Sequence, residues 1–163
     1  MADYQVRLAQ VPPTDVAVLS HRGDPALLDR TVQRFIAWRQ EAGLPPAASA
    51  TYSIFHNNPA AVPAADFRLD LCAGIRGPVP KNTAGVVAGV IPGGRRAVLR
   101  LTGAEEGMEA AFAWLCGVWL PRSGEKRADL LLYCQRVAFP PAVAPEAAVT
   151  DLYLPLEPRR RTR

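Results

Sequence analysis

The chain alternates short apolar stretches with two longer amphipathic ones. Short runs rich in β-branched, apolar and aromatic residues, bounded by Gly, Pro and Asn, predict β-strands. Two stretches that repeat apolar residues every three or four positions predict helices. The predicted strands are residues 4–10, 15–21, 51–56, 67–75, 85–91, 96–101, 130–137 and 149–156. The predicted helical faces are Leu28, Val32, Phe35 and Trp38, and then Met108, Ala111, Phe112, Leu115 and Trp119.

Residues that start and stop regular structure mark the limits of these elements. Asp24-Pro25 predicts a helix start, because Asp accepts hydrogen bonds from free N–H groups and Pro has no N–H to leave unbonded. Gly43 predicts the end of that helix, and Pro121 predicts the end of the second. The Pro-Gly-Gly sequence at residues 92–94 predicts a hairpin turn between two strands.

Two pairs of segments repeat along the chain. Residues 11–23 match residues 91–103 at an offset of 80, and residues 59–71 match residues 140–152 at an offset of 81. Chance likeness between Pro/Ala-rich loops is the alternative, but strand-turn segments match as well. The pattern predicts an α+β fold of tandem duplicated β-β-α-β-β units related by a pseudo-two-fold axis, with antiparallel sheets and helices on one side. The halves are predicted at about residues 4–76 and 83–157, with a small molecule bound in the cleft between them.

The positive charge of the chain is concentrated at its C-terminal end. The formal net charge is +4, and four of the last five residues are arginines, so the chain up to residue 158 carries no net charge. We therefore expect one domain over residues 1–157 and a solvated basic tail over residues 158–163. Weak attraction of that tail to nucleic acid or acidic surfaces is the alternative. No predicted helix carries a basic stripe with interleaved aromatic residues, which argues against a nucleic-acid groove.

Cysteine usage and the apolar runs indicate the compartment. Cys72, Cys116 and Cys134 are odd in number and far apart, so we expect reduced thiols rather than a disulfide framework. No apolar run approaches the roughly 20 residues that cross a bilayer, and no secretory signal is visible. These features predict a cytoplasmic protein without membrane contact.

Residues with catalytic chemistry are few and scattered. No nucleophile elbow, phosphate-binding loop, dinucleotide fingerprint or HExxH is present, so we expect no catalytic residue, no metal and no cofactor. His21 and His56 end predicted strands and fit surface or capping positions better than a general base or a metal ligand. Asp24 fits a helix cap. Asp70 and Asp151 stand at equivalent repeat positions, which favours a shared structural role over a catalytic pair.

Five short segments, in order, resemble a known family. They are Asn57-Asn58-Pro59, Arg68-Leu69-Asp70, Ile91-Pro92-Gly93-Gly94, Trp119-Leu120-Pro121 and Asp151-Leu152-Tyr153-Leu154-Pro155. They span nearly the whole chain and resemble the GyrI-like small-molecule-binding family, whose domain is called the bacterial transcription activator effector-binding domain when it is fused to DNA-binding helices. The resemblance implies a tandem pseudo-symmetric fold, in agreement with the repeat.

The resemblance implies three kinds of function. Fused members sense drugs and metabolites for regulators, stand-alone members include proteins that bind DNA gyrase, and some stand-alone members resemble hydrolases that open cyclopropane rings of genotoxic compounds. The first family strand begins near Tyr4, so we expect a stand-alone member without a helix-turn-helix and without DNA binding. We expect it to bind a small hydrophobic or aromatic molecule. A hydrolase of strained or toxic compounds, and an interaction module with a protein partner such as gyrase, are the alternatives.

The resemblance also suggests where the ligand binds, with one departure. The family often has Phe-Glu-x-Tyr in the strand before the last Pro-rich loop, and its Glu meets cationic ligands. The matching residues here are Tyr133-Cys134-Gln135-Arg136, which puts Cys134 at the acidic position and Arg136 on the same strand face. We therefore expect a pocket that disfavours lipophilic cations. The expected ligand-binding residues are Tyr52, Trp119, Cys134, Arg136 and Tyr153.

Overall fold

The computed structural model describes residues 4–103 and 107–159, and its elements confirm an α+β protein. The strands are β1 (Val6–Val11), β2 (Thr14–Arg22), β3 (Thr51–Phe55), β4 (Arg68–Gly74), β5 (Val87–Ile91), β6 (Gly94–Thr102), β7 (Leu132–Ala138) and β8 (Val149–Pro155). The helices are α1 (Leu28–Glu41), α2 (Met108–Trp114) and α3 (Leu120–Ser123), with a π-helical turn at Leu115–Trp119. Every predicted strand is present, with ends within two residues of the prediction. Within the described residues, no helix has the length and apolar character needed to cross a membrane.

Residues Pro13–Pro92 form one compact unit, which we call the middle unit. Its strands pair in the order β3-β4-β2-β5, all antiparallel. Helix α1 packs on β2 and β4 because Phe35 and Trp38, stacked with ring centroids 5.9 Å apart, supply its apolar face. The buried core consists of Ala17, Leu19, Phe35, Trp38, Phe67, Leu69, Leu71, Ala73 and Val86.

The described residues within Met1–Pro12 and Gly93–Arg163 form the second compact unit, which we call the terminal unit. Its strands pair in the order β1-β6-β8-β7, again antiparallel. Helix α2 contacts β6 and buries Met108 and Ala111, and the π-helical turn buries Leu115. The strand residues with no exposed surface include Ala97, Leu99, Cys134, Leu152 and Leu154.

The pairing registers inside the two units repeat at the offset found in the sequence. Tyr52 of β3 lies opposite Cys72 of β4, and Tyr133 of β7 lies opposite Tyr153 of β8, 81 residues further along in each case. The corresponding pairs between the next strands are Ser20 with Asp70 and Arg100 with Asp151. The repeat in sequence is therefore also a repeat in local pairing.

The Pro-Gly-Gly sequence at residues 92–94 does not make the predicted hairpin. In the described residues, β5 pairs with β2, whereas β6 pairs with β1 and β8. A turn sequence permits a chain reversal, but the strands that pair are those whose apolar faces become buried together. The hairpin prediction is therefore wrong. Strand β1 belongs to the terminal unit and β5 belongs to the middle unit.

The two predicted helix stops have different outcomes. Gly43, with φ of +70°, follows the end of α1 as predicted. The second helical region passes Pro121 and stops at Ser123, where Gly124 adopts φ of +76°. Pro121 lacks the N–H that would bond the carbonyl of Gly117, and the wider π-helical turn before it accommodates the ring. The predicted stop at Pro121 is therefore wrong.

Candidate functional site

The sheet of the terminal unit has two faces of different character. Residues paired across strands point to the same face, and neighbours along a strand point to opposite faces. Cys134 lies opposite Leu152, which lies opposite Leu99, and all three have no exposed surface, so we call their side the apolar face. The other side, which we call the tyrosine face, is formed by Arg7, Arg96, Val98, Arg100, Tyr133, Gln135, Asp151 and Tyr153.

A stacked pair of tyrosines forms the centre of the tyrosine face. Tyr133 and Tyr153 are directly opposite each other, and their rings are 4.6 Å apart between centroids and tilted by 4°. Both are largely out of water, with 5% and 9% of their surface exposed. The hydroxyl of Tyr153 donates to Oε1 of Gln135 at 3.4 Å. The pair places two flat aromatic rings beside an amide group, and side chains of these types recognise aromatic molecules in proteins.

A buried arginine lies against this pair. Arg96 is 1% exposed, and its guanidinium carbon is 5.6 Å from the centroid of the Tyr133 ring, within cation–π range. Its Nη1 donates to the carbonyl of Arg95 at 3.1 Å. Gly94 leaves room for the group, because a Cβ at that position would lie 3.2 Å from Nη1 of Arg96. The tyrosine face therefore carries a positive charge of its own.

A salt bridge lies on the same face. Asp151, which is 3% exposed, accepts from Nε and Nη2 of Arg100 at 2.8 and 3.0 Å, and Nη2 of Arg7 is 3.7 Å away. In this bidentate salt bridge, two N–H groups of the planar guanidinium bond the two oxygens of the carboxylate. Asp151 therefore holds β6, β8 and β1 in register and is already occupied by protein cations.

The equivalent carboxylate of the middle unit has the same structural role. Asp70 accepts from the hydroxyl of Ser20 and from Nε2 of His56 at 2.7 Å, and Nε of Arg68 is 3.6 Å away. Burial raises the pKa of Asp70, but the hydrogen bonds from Ser20 and His56 and the charges of His56 and Arg68 outweigh it and hold the pKa below its ordinary value of 3.8. Each carboxylate thus bonds the residue directly opposite it on the neighbouring strand.

The other residues considered for chemistry lie at the start of α1. His21 is buried, its Nε2 donates to the carbonyl of Asp24 at 3.0 Å, and its Nδ1 lies 2.7 Å from the hydroxyl of Thr31. The Asp24 carboxylate accepts from the N–H of Ala26 at 2.9 Å, which confirms the predicted cap. His21 therefore ties the end of β2 to the helix from a buried position, where the sequence suggested a surface or capping one.

The five residues predicted to bind the ligand lie in different surroundings. Tyr52 is in the middle unit, where burial and the neighbouring Cys72 raise its pKa. Tyr153 is on the tyrosine face of the terminal unit, and Trp119 ends the π-helical turn in a half-buried position. Cys134 lies on the apolar face, as does Arg136, whose pKa is lowered by burial. The sheet therefore brings Tyr153 together with Tyr133 and Gln135, and directs Cys134 to the opposite side.

Tyr133, Gln135 and Arg96, which lie on the tyrosine face with Tyr153, were not singled out from the sequence. Tyr133 and Gln135 flank Cys134, and the alternation of the strand puts both on the face that Cys134 does not share. The repeat offset would have found Tyr133, because it is the counterpart of Tyr52. Arg96 carries no comparable signal, since an arginine in a strand is usually exposed.

A second cluster of charges lies around Arg95, on the other side of β6. Arg95 donates to both oxygens of Glu125 at 2.8 and 3.0 Å, and Arg159 lies 3.3 Å from the same carboxylate. These contacts, led by the Arg95 hydrogen bonds, lower the pKa of Glu125 to about 2. A cavity of about 270 Å³ is lined by Leu8, Ala9, Gln10, Arg95 and Arg159. Residues 160–163 of the predicted basic tail lie outside the described residues.

One protein family matches nearly the whole chain. The model of the GyrI-like small molecule binding domain matches residues 4–157. The probable transcriptional regulator YgiV of Escherichia coli K12 is 36% identical over 154 residues, which are 93% of this chain and 95% of that protein. The C-terminal domain of EcmrR has a TM-score of 0.75 at 14% identity, with 94% of this chain and 98% of that one covered.

Two further structures extend the likeness of fold. The chain covers 57% of the EcmrR chain in its complex with DNA, with 94% of its own length matched at a TM-score of 0.74 and 15% identity. The structure of SAV2435 bound to tetraphenylphosphonium has a TM-score of 0.58 at 12% identity, with 96% of this chain and 94% of that one covered. At such identities the structural matches show a shared fold alone.

Proposed function

The chain belongs to the GyrI-like small-molecule-binding family, and from this membership we propose that it binds a hydrophobic aromatic molecule against the tyrosine face of the terminal unit. Small-molecule binding is the function that the family and the fold support. The hydrolase and gyrase-modulator alternatives are not favoured by these likenesses.

The observation that carries the proposal is the stacked tyrosine pair. A flat ligand gains stabilisation by burying its rings against Tyr133 or Tyr153 and by continuing the stack. The amide of Gln135 adds directional hydrogen bonds beside the rings. Small-molecule sites are typically lined by apolar side chains together with a small number of polar groups.

Replacing Tyr153 tests the site. We expect Tyr153→Ala to weaken binding of flat aromatic compounds by about tenfold, because the ring surface and its stacking are lost. Tyr153→Phe keeps the ring and is expected to bind within about threefold of the unchanged protein. Compounds are first selected by thermal shift, where a ligand at about 100 times its Kd stabilises by about 2.7 kcal/mol, and affinities are then measured by calorimetry.

The control for this experiment is an aromatic residue elsewhere in the terminal unit. Tyr4 contacts Trp114 at 5.1 Å between ring centroids and lies outside the tyrosine face. Tyr4→Ala should therefore leave affinity unchanged. Equal affinities for Tyr153→Ala and the unchanged protein would show that the ligand binds elsewhere.

The same binding assay tests the other ligand-binding residues predicted from the sequence. Tyr52 and Trp119 are half-buried aromatic residues, and we propose them as further ligand contacts. Cys134 and Arg136 stay predictions of the family resemblance, and their side of β7 is the apolar face. Alanine substitutions at Tyr52 and Trp119 that leave affinity unchanged would remove them from the site.

We also propose that the chain arose by duplication of a β-β-α-β-β unit, over a domain of residues 1–157 with halves near 4–76 and 83–157. The repeated registers at offsets of 80 and 81 support it. We expect residues 14–74 and 94–155 to superpose in an experimental structure, related by a pseudo-two-fold axis, with both helices on one side of the sheets. Different strand order in the two segments would contradict duplication.

The compartment is proposed from the state of the cysteines, and a partner is proposed from the likeness to YgiV. Cys72, Cys116 and Cys134 are not joined in a disulfide, which is typical of a reducing compartment, and we propose that the protein is cytoplasmic. The likeness to YgiV supports a role in regulation of transcription. We propose that this role involves a protein partner, because no predicted helix carries a basic stripe with interleaved aromatic residues, and ligand-dependent co-purification of one partner would test it.

A further inference from the structure

Strand β1 forms an open edge of the terminal unit. Within the described residues, β1 pairs with β6 alone, and no other hydrogen bond to Val6–Val11 is present. Alternate residues of an edge strand direct their N–H and C=O groups away from the sheet, where another strand can bond them. The backbone of β1 is therefore a template for one more strand.

A cavity lies against this strand. It has a volume of about 270 Å³ and is lined by Leu8, Ala9, Gln10, Arg95 and Arg159. The three strand residues are consecutive and point alternately to the two sides of the sheet, so the lining includes the edge of the strand rather than one face of it. The volume is below the roughly 300–1,000 Å³ of pockets for drug-sized ligands, and it suits a single side chain of a peptide.

The cavity combines apolar surface with positive charge. Leu8 is 48% exposed, which is unusual for a leucine in a strand. Arg95 and Arg159 share the carboxylate of Glu125, so the three groups carry a formal charge of +1. In the part of the chain that the structure describes, only Nη2 of Arg159 is bonded, which leaves its other N–H donors for a partner. Residues 160–163 add three further arginines to the sequence directly after Arg159.

We propose that β1 accepts an extended acidic segment of a partner protein as an additional strand. An apolar side chain of that segment lies in the cavity against Leu8, and a carboxylate is bonded by Arg159. Strand addition of this kind takes its affinity from main-chain hydrogen bonds and its specificity from pockets for alternate side chains. The inference assigns a surface to the protein partner proposed above and rests on that proposal. It is independent of ligand binding at the tyrosine face.

Charge favours an acidic segment over a second copy of this chain. Pairing of β1 with β1 would bring together two surfaces of the same sign, which costs free energy, whereas an acidic segment meets the same charges as partners. Strand β5 provides a reference surface. Among the residues that the structure describes, it pairs with β2 alone, and Val87 is 59% exposed, but β5 contains no charged residue.

The test measures binding of synthetic hexapeptides to the full chain by fluorescence anisotropy. An acidic array alternates Asp or Glu with Val, Ile, Leu or Phe, and a basic array has Lys or Arg at the same positions. We expect the best acidic peptides to bind at least about tenfold more tightly than any basic one, with affinity falling as salt is added. N-methylation of alternate amides should weaken binding in only one of its two phases, because one edge of the peptide faces β1.

Two exposed residues of the cavity identify the surface. Arg159→Glu reverses a charge and should weaken the best acidic peptide by about tenfold, and Leu8→Ser removes apolar contact and should weaken it by about fivefold. Arg34→Glu, on the exposed side of α1, is the matched charge control, and Val87→Ser, on β5, is the matched apolar control. Both controls should keep the affinity within about twofold. Urea unfolding verifies that the four variants fold.

Several results would overturn the inference. Acidic peptides that bind no more tightly than basic ones would remove the charge argument, and equal effects of the cavity variants and the controls would place the peptide elsewhere. Self-association of the full chain that Leu8→Ser abolishes, measured by sedimentation, would assign the edge to a second copy. Binding of duplex DNA in place of the peptides, lost in Arg159→Glu and kept in Leu8→Ser, would assign the charges to nucleic acid.

These results are distinguishable from failure of the proposed function. A partner that co-purifies equally with Leu8→Ser, Arg159→Glu and the unchanged protein would stand as a partner and overturn this surface. Small-molecule binding is measured separately with Tyr153→Ala, which should leave peptide affinity unchanged because Tyr153 lies on β8, away from the edge formed by β1. Tight acidic peptides that are weakened by both cavity variants and by neither control support the inference.

Discussion

Cys134→Glu is expected to lower the free energy of unfolding by about 3 kcal/mol or more at neutral pH, since transfer of a carboxyl into an apolar interior without compensating bonds costs several kcal/mol. Cys134 has no exposed surface and lies opposite Leu152, which is also fully buried. The glutamate is both larger than the thiol and charged, so overpacking adds to the cost. Urea unfolding of the variant and the unchanged protein measures the difference.

The loss should depend on pH with a definite sign. Burial raises the folded-state pKa of such a glutamate above its unfolded value of about 4.3. Below that value the side chain is neutral in both states and the penalty is smallest. As pH rises from about 4.3 to the folded-state pKa, the unfolded chain releases the proton and stability falls. The difference from the unchanged protein should therefore be smaller at pH 4.5 than at pH 7.5.

Two substitutions isolate the effect of the buried acid. Cys134→Ala removes the thiol without adding charge and should cost about 1 kcal/mol. Gln135→Glu places the same acid on the half-buried neighbouring residue, which points to the tyrosine face, and should cost much less than Cys134→Glu. A stable Cys134→Glu protein that gains affinity for lipophilic cations would instead put Cys134 in the ligand site, as the family resemblance suggests.

Arg39→Ala is expected to lower the free energy of unfolding by about 3 kcal/mol, because buried carbonyl groups lose their donors. Arg39 is 4% exposed, and its Nε, Nη1 and Nη2 donate to the carbonyl of Leu44, the hydroxyl of Thr51 and the carbonyl of Ser49 at 2.7, 2.8 and 2.9 Å. Burial lowers the pKa of Arg39 to about 10, so the charge is held at a cost that these bonds offset. The side chain thereby joins the end of α1 to the segment that enters β3.

Arg39→Lys and Arg34→Ala provide the controls. A lysine ammonium cannot reproduce the planar fork that serves three acceptors in different directions, so Arg39→Lys should recover only part of the stability. Arg34 is exposed on the same helix, and its replacement by alanine should change stability by less than about 0.5 kcal/mol. An Arg39→Ala protein as stable as the unchanged one would show that water replaces these bonds at no cost. Urea unfolding of the three variants and the unchanged protein measures these differences in stability.

Local signals in the sequence were sufficient for the elements of the fold. Every strand follows from a run of β-branched and apolar residues, and Asp24 caps the helix start because its carboxylate is within reach of the N–H of Ala26. The repeat offset of 80 to 81 carried over into the pairing registers, since a register follows from which residues of a strand are apolar. The family resemblance was confirmed by the match over residues 4–157.

Local sequence signals could not identify which distant strands pair with each other. The Pro-Gly-Gly turn is consistent with a hairpin between β5 and β6, yet β5 pairs with β2 and β6 pairs with β1 and β8. Partners are chosen by the total burial that results, which depends on residues far apart in the chain. Pro121 shows the same limit at short range, because a π-helical turn accommodates the proline ring, which a regular α-helix would not.

The composition of the tyrosine face was decided by tertiary structure for two physical reasons. Strand periodicity shows that Cys134 and Gln135 point to opposite faces, but which face is covered by apolar residues depends on the strands and helix packed against it. Arg96 looks like a surface residue in sequence, and it becomes a buried charge because Gly94 leaves space for it and the Tyr133 ring from another strand lies against it. The sequence by itself thus determined the family, the elements and the repeated registers, whereas the tertiary structure decided which side chains share the tyrosine face and what charge that face carries.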